Sequence, residues 1–323
     1  MQAKRDDSFD CLKGVLISLV VYGHVTYVGG YRVYLEALSD VIYLFHMPLF
    51  FTLSGVFFKP LLGRQRVKSF ISRLALPYIL FYGLYLAILQ LAGRYSSIEI
   101  SNSFEGDWIS ALFVWPLASY WYLHSLIYFV FLMSVAWITL SRFNFSGVFL
   151  ALGSALLVVV VTWCLVVIGF RLYLWVVFYL LAGFFLSNQI RTVKVGQSFA
   201  FIAIILIVIL AAFMPSQTDV EVFRIWQCFL IVCLVVAFLG LRDFFVSSWV
   251  AFLGRNSLLI LLFHVYFLNL LKPTQSLFLS LDASGILYAV ASSISGVWGG
   301  ILTGIALDRL KIYPSLFKCR ALQ

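Results

Sequence analysis

An all-α polytopic membrane protein of about ten transmembrane helices is the fold class this sequence predicts, on three observations. The 323 residues are 63% hydrophobic and only 11% charged, with a mean hydropathy of +1.04; a soluble domain carries about 25% charged residues. Apolar runs close to the length of one crossing, about 20 residues, recur along the whole chain. The basic residues lie between those runs and not on a polar face, so the net charge of +9 does not point to nucleic acid.

The spans follow in order. Segment 12–29 continues through His24 with no small-residue cleavage site, so it reads as a first span and not as a signal peptide. Segment 40–58 starts at Asp40, contains Pro48 and ends just before Lys59, and segment 74–92 opens directly after Arg73. Segments 117–140 and 147–170 flank Arg142, and Arg171 alone separates the latter from 172–188, the shortest of the set. Segments 198–214, 222–241, 249–271 and 284–306 complete the ten. Between 93 and 116, Trp108 to Trp115 reads as a short interfacial helix before Pro116, with an anchoring role. There is no internal repeat and no long linker, so residues 1–323 are expected to form a single transmembrane domain with no fused soluble domain. Cys11, Cys164, Cys228, Cys233 and Cys319 have no metal-ligand spacing and read as small apolar residues, and no metal is expected.

Charge sets the orientation. If the spans alternate from a cytoplasmic N-terminus, Lys4, Arg5, Lys13, Lys59, Arg64, Arg66, Lys68, Arg73, Arg142, Arg191, Lys194, Arg242, Arg255, Arg309, Lys311, Lys318 and Arg320 fall inside. Only Arg32, Arg94, Arg171, Arg224 and Lys272 fall outside, the bias that the positive-inside rule requires. Both termini are therefore expected in the cytoplasm.

The four histidines, His24, His46, His124 and His264, all lie within predicted spans. At 1.5 Å per residue, His24 is roughly 16 Å above Lys13 and His46 roughly 9 Å below Asp40. His264 is roughly 22 Å above Trp249, and His124 is about as deep as His46, so all four fall in the outer half of the bilayer. Intramembrane ionisable residues are costly and mark functional sites by default. The plainer reading of each is a core histidine hydrogen-bonded between helices. The shared depth favours function for the set. Lys13 and His24, eleven residues apart, point to the same side of a helix. One groove can therefore take an anionic donor at Lys13 and present its reactive end to the imidazole. A neutral imidazole oriented by a carboxylate can take a proton from a sugar hydroxyl as that oxygen attacks a thioester. Asp40 is the nearest carboxylate in sequence, although it lies about 240° around the helix from His46. The loop 59–73 concentrates Lys59, Arg64, Arg66, Lys68 and Arg73 without an acid. It suits lipid headgroups, topology or a phosphate-rich ligand such as coenzyme A.

Lys13 and His24, then Phe45-His46-Met47-Pro48-Leu49-Phe50-Phe51 and Leu53-Ser54-Gly55, resemble the integral-membrane acyltransferase family 3, in particular its fucose 4-O-acetylase-like branch. Arg73 with Pro77-Tyr78, Trp121-Tyr122-Leu123, and Leu253-Gly254-Arg255-Asn256-Ser257 followed by His264 extend the resemblance over most of the chain. The resemblance implies an acyl-CoA-dependent O-acetyltransferase of the bacterial inner membrane. Such an enzyme moves acetyl from cytoplasmic acetyl-CoA to a hydroxyl of an extracytoplasmic envelope glycan, such as lipopolysaccharide or exopolysaccharide, free or lipid-linked. It further implies His24 as catalytic base and Lys13 and Arg73 as donor-binding residues; Arg64, Arg66 and Arg255 join the donor set. Many relatives carry an aspartate directly before the FFxxSG-like stretch, where this chain has His46-Met47-Pro48. Asp40, His46 and His264 thus stay open as the residue that orients His24. Trp121, Tyr122 and Asn256 are candidates for substrate contact. Membrane lipids are the surroundings, and a second copy of the chain or a separate extracytoplasmic acyl-acceptor protein is a candidate partner. The rival reading is a proton-coupled transporter or exporter of a glycan or small molecule, which would also bury His and Asp near the midplane.

Overall fold

A computed structural model describes residues 6–25, 31–95, 107–213, 220–244, 246–317 and 321–322. Every regular element among them is helical, and each of the ten predicted segments is occupied by a helix or a helix pair. The first is α1 (Asp7–Gly23), which starts at an Asp6 cap whose carboxylate accepts from the Ser8 backbone N–H. There follow α2 (Tyr31–Val56), α3 (Arg64–Phe70), α4 (Leu76–Tyr95), α5 (Trp108–Phe113), α6 (Trp121–Arg142) and α7 (Gly147–Val167). Then come α8 (Leu174–Phe185), α9 (Ser187–Thr192), α10 (Gln197–Ala212), α11 (Val220–Leu241), α12 (Ser248–Arg255), α13 (Ser257–Leu271), α14 (Gln275–Leu281), α15 (Ile286–Arg309) and α16 (Ile312–Phe317). Seven helical stretches among the described residues are long and apolar enough to cross a membrane, while α8 and α10 are apolar but shorter. On α10, Phe199, Phe201, Ile202, Ile205 and Val208 are exposed, as lipid-facing residues are.

Two details differ from the sequence reading. The segment 59–73 is a loop only to Gly63; from Arg64 it is helical and joins α4 through a π-helical turn, Ile71–Ala75. The ninth segment breaks at Asn256, whose side-chain amide donates to the Phe252 carbonyl, 2.9 Å away, as α12 ends. The short helix expected at Trp108–Trp115 is α5, capped by Asp107. The charges at Lys4, Arg5, Lys318 and Arg320 lie outside the described residues.

Two close approaches hold the site in place. At Gly254 of α12 any Cβ would collide with the Asp10 carbonyl of α1, and at Gly14 of α1 it would meet the Val250 carbonyl. Helices α1 and α12 therefore meet backbone to backbone, the role of small residues between membrane helices. The same reciprocal fit joins α2 to α8, where Gly55 faces the Leu180 carbonyl and Gly183 faces that of Thr52. Within α2, Pro48 has no N–H for the Leu44 carbonyl, and Gln227 Nε2 of α11 donates to that oxygen instead, at 2.8 Å.

Candidate active site

Two adjoining cavities run through the bundle from its basic end. The first, of about 360 Å³, is lined by Lys13, Ser54, Lys59, Tyr122 and Arg255 among apolar side chains. The second, of about 20 Å³, is lined by Val20, His24, Met47, Ser119 and Trp121. Phe50, Tyr122 and Leu261 line both, so these side chains stand between the cavity with the cations and the cavity with His24. The smaller cavity has room for about one water. Phe50 packs edge-on against Tyr122, centroids 5.2 Å apart, and the Tyr122 hydroxyl is 2.8 Å from that of Ser54.

The cations of the larger cavity are steered by acids of α1. Lys13 Nζ is 3.7 Å from Asp10 and 4.5 Å from the centre of the Phe57 ring. Arg255 Nη1 donates to Asp7 at 3.3 Å. Lys59 lies at the end of α2, just before the turn into α3. Arg64, Arg66 and Arg73 are exposed and are not among the residues lining this cavity. Arg66 donates to the Pro60 carbonyl at 3.1 Å, and Arg73 sits on the π-helical turn.

At the other end, His24 caps the C-terminus of α1 and is exposed into the space around it. Its ring lies 5.3 Å, centroid to centroid, from that of His264 on α13. His264 is completely buried, with Nδ1 3.0 Å from both the Ile260 and Leu261 carbonyls. Carbonyl oxygens only accept, so the proton is on Nδ1 and Nε2 is an acceptor, with no hydrogen-bond partner. His46 is fixed in the same way, its Nδ1 2.7 Å from the Ile42 carbonyl. The ring of Tyr43 packs against His46, and its hydroxyl donates to the Gly23 carbonyl, one residue before His24, at 3.0 Å. Three of the four histidines thus gather around the end of α1. His124 differs: its Nε2, 2.9 Å from the Phe113 carbonyl, ties α6 to the end of α5.

Asp40 is half-buried on α2, and no hydrogen bond or ion pair joins it to a histidine among the described residues. Asn256 is buried at the break between α12 and α13 and does not line the His24 cavity. Trp121 and Tyr122 do line it. A Tyr82–Tyr120 stack with centroids 4.4 Å apart fixes the start of α6, and the Tyr120 hydroxyl donates to the Leu262 carbonyl at 2.7 Å.

A family model described as an acyltransferase domain matches residues 6–305, a range containing every one of these side chains. The chain belongs to that acyltransferase family. It is also similar to the nodulation protein NolL of Sinorhizobium fredii and of Mesorhizobium japonicum, in each case 47% identical over 55 residues. That stretch covers 16% of this chain and 15% of either relative's length. No solved structure matches.

For a member of an acyltransferase family, the residues that the sequence left unmarked matter most. Ser119 is buried in the wall of the His24 cavity with an unpartnered hydroxyl. Nothing in the sequence distinguishes it from other serines, because only the packing of the 3-10 turn Ala118–Tyr120 on α13 brings it there. Ser54 belongs to a motif noted for its resemblance alone; its hydroxyl meets Tyr122 while Gly55 beside it meets α8.

Proposed function

We propose that this acyltransferase moves acetyl from cytoplasmic acetyl-CoA to a hydroxyl of an extracytoplasmic envelope glycan, within the inner membrane of a bacterium. The observation that carries the reading is the pair of cavities sharing Phe50, Tyr122 and Leu261, with cations at one end and His24 at the other. The phosphates of coenzyme A meet Lys13, Lys59 and Arg255, where charge-assisted hydrogen bonds are strong. The pantetheine arm follows the larger cavity towards Tyr122. A cavity with room for about one water does not admit an acetyl thioester, so Phe50 and Tyr122 turn aside as the donor enters.

His24 takes the proton of the acceptor hydroxyl as its oxygen attacks the thioester carbonyl. The C–S bond breaks, and the departing thiolate takes that proton from the imidazolium, which leaves an O-acetyl ester and free coenzyme A. The Ser119 hydroxyl, unpartnered in the cavity wall, serves as a donor to the developing oxyanion. His264, whose Nδ1–H is committed to its own helix, offers Nε2 to a proton of His24 and so holds that ring in one orientation. Of the three orienting candidates, the ring geometry favours His264.

The test is alkali-labile acetyl on the envelope polysaccharide of cells expressing the wild-type protein or His24→Ala at equal levels. The expected outcome is loss of the acetyl ester in the variant. Full acetylation by well-expressed His24→Ala overturns the mechanism.

A further inference from the structure

Helices α8 and α11 leave a third cavity between them, of about 440 Å³, in the size range of ligand pockets. Phe178, Ile225, Phe229 and Val232 line it and are exposed on the bundle surface, so it opens sideways to lipid. Its one cation is Arg224, four residues into α11 and about 6 Å from the start of that helix. No carboxylate pairs with Arg224 among the described residues. Its Nη1 donates to Gln227 Oε1 at 3.0 Å, and its guanidinium lies 5.2 Å from the centre of the Trp175 ring. Gln227 is buried and accepts a further hydrogen bond from the Tyr179 hydroxyl at 3.2 Å. The arginine is therefore preset, with no acid against it among the described residues.

The groove is also joined to the candidate site. Trp175 stands 6.0 Å, centroid to centroid, from Trp121, which lines the His24 cavity, and Phe51 packs against both. A lipid tail fits the apolar walls, a phosphate fits Arg224, and a sugar beyond that phosphate meets the faces of Trp175 and Trp121 on the way to His24. We infer that this groove binds the acceptor in the form of a glycan carried on a lipid phosphate. The inference deepens the acetyl-transfer reading and rests on it for the acceptor's role. A phospholipid of the bulk membrane shares the tail and the phosphate but has no glycan to place on the tryptophans.

The experiment uses the full chain in nanodiscs of zwitterionic phosphatidylcholine and a photoactivatable polyisoprenyl phosphate bearing a short glycan. Crosslinking is expected on α8 and α11, competed by unlabelled probe but not by the matching polyisoprenol. Arg224→Gln should weaken it roughly tenfold or more, as expected for loss of a charged hydrogen bond. Arg224→Lys should restore most of it, which separates lost charge from lost folding. Equal labelling of Arg224→Gln, or equal competition by phosphatidylglycerol, overturns the proposal. The same samples, given labelled acetyl-CoA, separate the two levels. Crosslinking as expected without acetyl transfer leaves the binding groove standing and removes the acetyltransferase reading. Acetyl transfer to the probe without crosslinking at α8 and α11 removes the groove alone.

Discussion

His46 and His264 each donate Nδ1–H to the preceding turn of their own helix, so each keeps one tautomer. His24, at the end of α1, is the exposed one, next to a cavity, as a base that meets substrate must be. This division of labour predicts that His264→Phe lowers kcat by roughly tenfold to a hundredfold, the usual cost of losing a partner that orients a working histidine, and leaves the KM for acetyl-CoA unchanged. Steady-state kinetics of the purified variant check this; an unchanged kcat removes His264 from the mechanism. The sequence already singled out Lys13, His24 and the outer depth of the histidines, because helical spacing alone sets position along and around a helix. What it did not show is how the four divide. His124 is engaged by α5, and His264 rather than Asp40 stands beside His24; both depend on which helices are neighbours.

The glycines decide the matter for the helices. The Leu253-Gly254-Arg255-Asn256 stretch was legible as a motif but not as a mechanism. Its physical content is that α12 touches the backbone of α1 at Asp10, which brings Lys13 and Arg255 into the lining of one cavity. Gly254→Val would force these helices apart. Overpacking of this kind costs about 1–3 kcal/mol, and the expected outcome is a lower unfolding temperature together with a raised KM for acetyl-CoA. Wild-type stability and KM would show that the contact is not needed. The basic segment 59–73 marks the opposite limit. Its composition suggested phosphate binding, but residues from Arg64 onward are helical and exposed, and among its cations only Lys59 joins Lys13 and Arg255. Charge density in a sequence does not say which way a helix turns its side chains.

Across the whole molecule, the apolar segments were readable as helices because crossing a bilayer fixes the length and composition of a helix, and seven stretches among the described residues meet both. On the topology that the sequence predicts, the net charge of +9 is the sum of a strongly basic end and an opposite end with few cations. The larger cavity opens among the cations and the histidines gather beyond it, the arrangement that the proposed transfer between opposite faces of one membrane requires. Inverted membrane vesicles, with the cytoplasmic face outward and envelope glycan in the lumen, test this claim most directly. Labelled acetyl-CoA is added to the outside, and alkali-labile label on the lumenal glycan is measured. The account predicts label in the lumen with the wild-type protein and a loss of two to four orders of magnitude with His24→Ala, the usual span for a general base. Undiminished lumenal acetylation by a well-inserted His24→Ala protein, or none by the wild type with donor and acceptor both present, would contradict it.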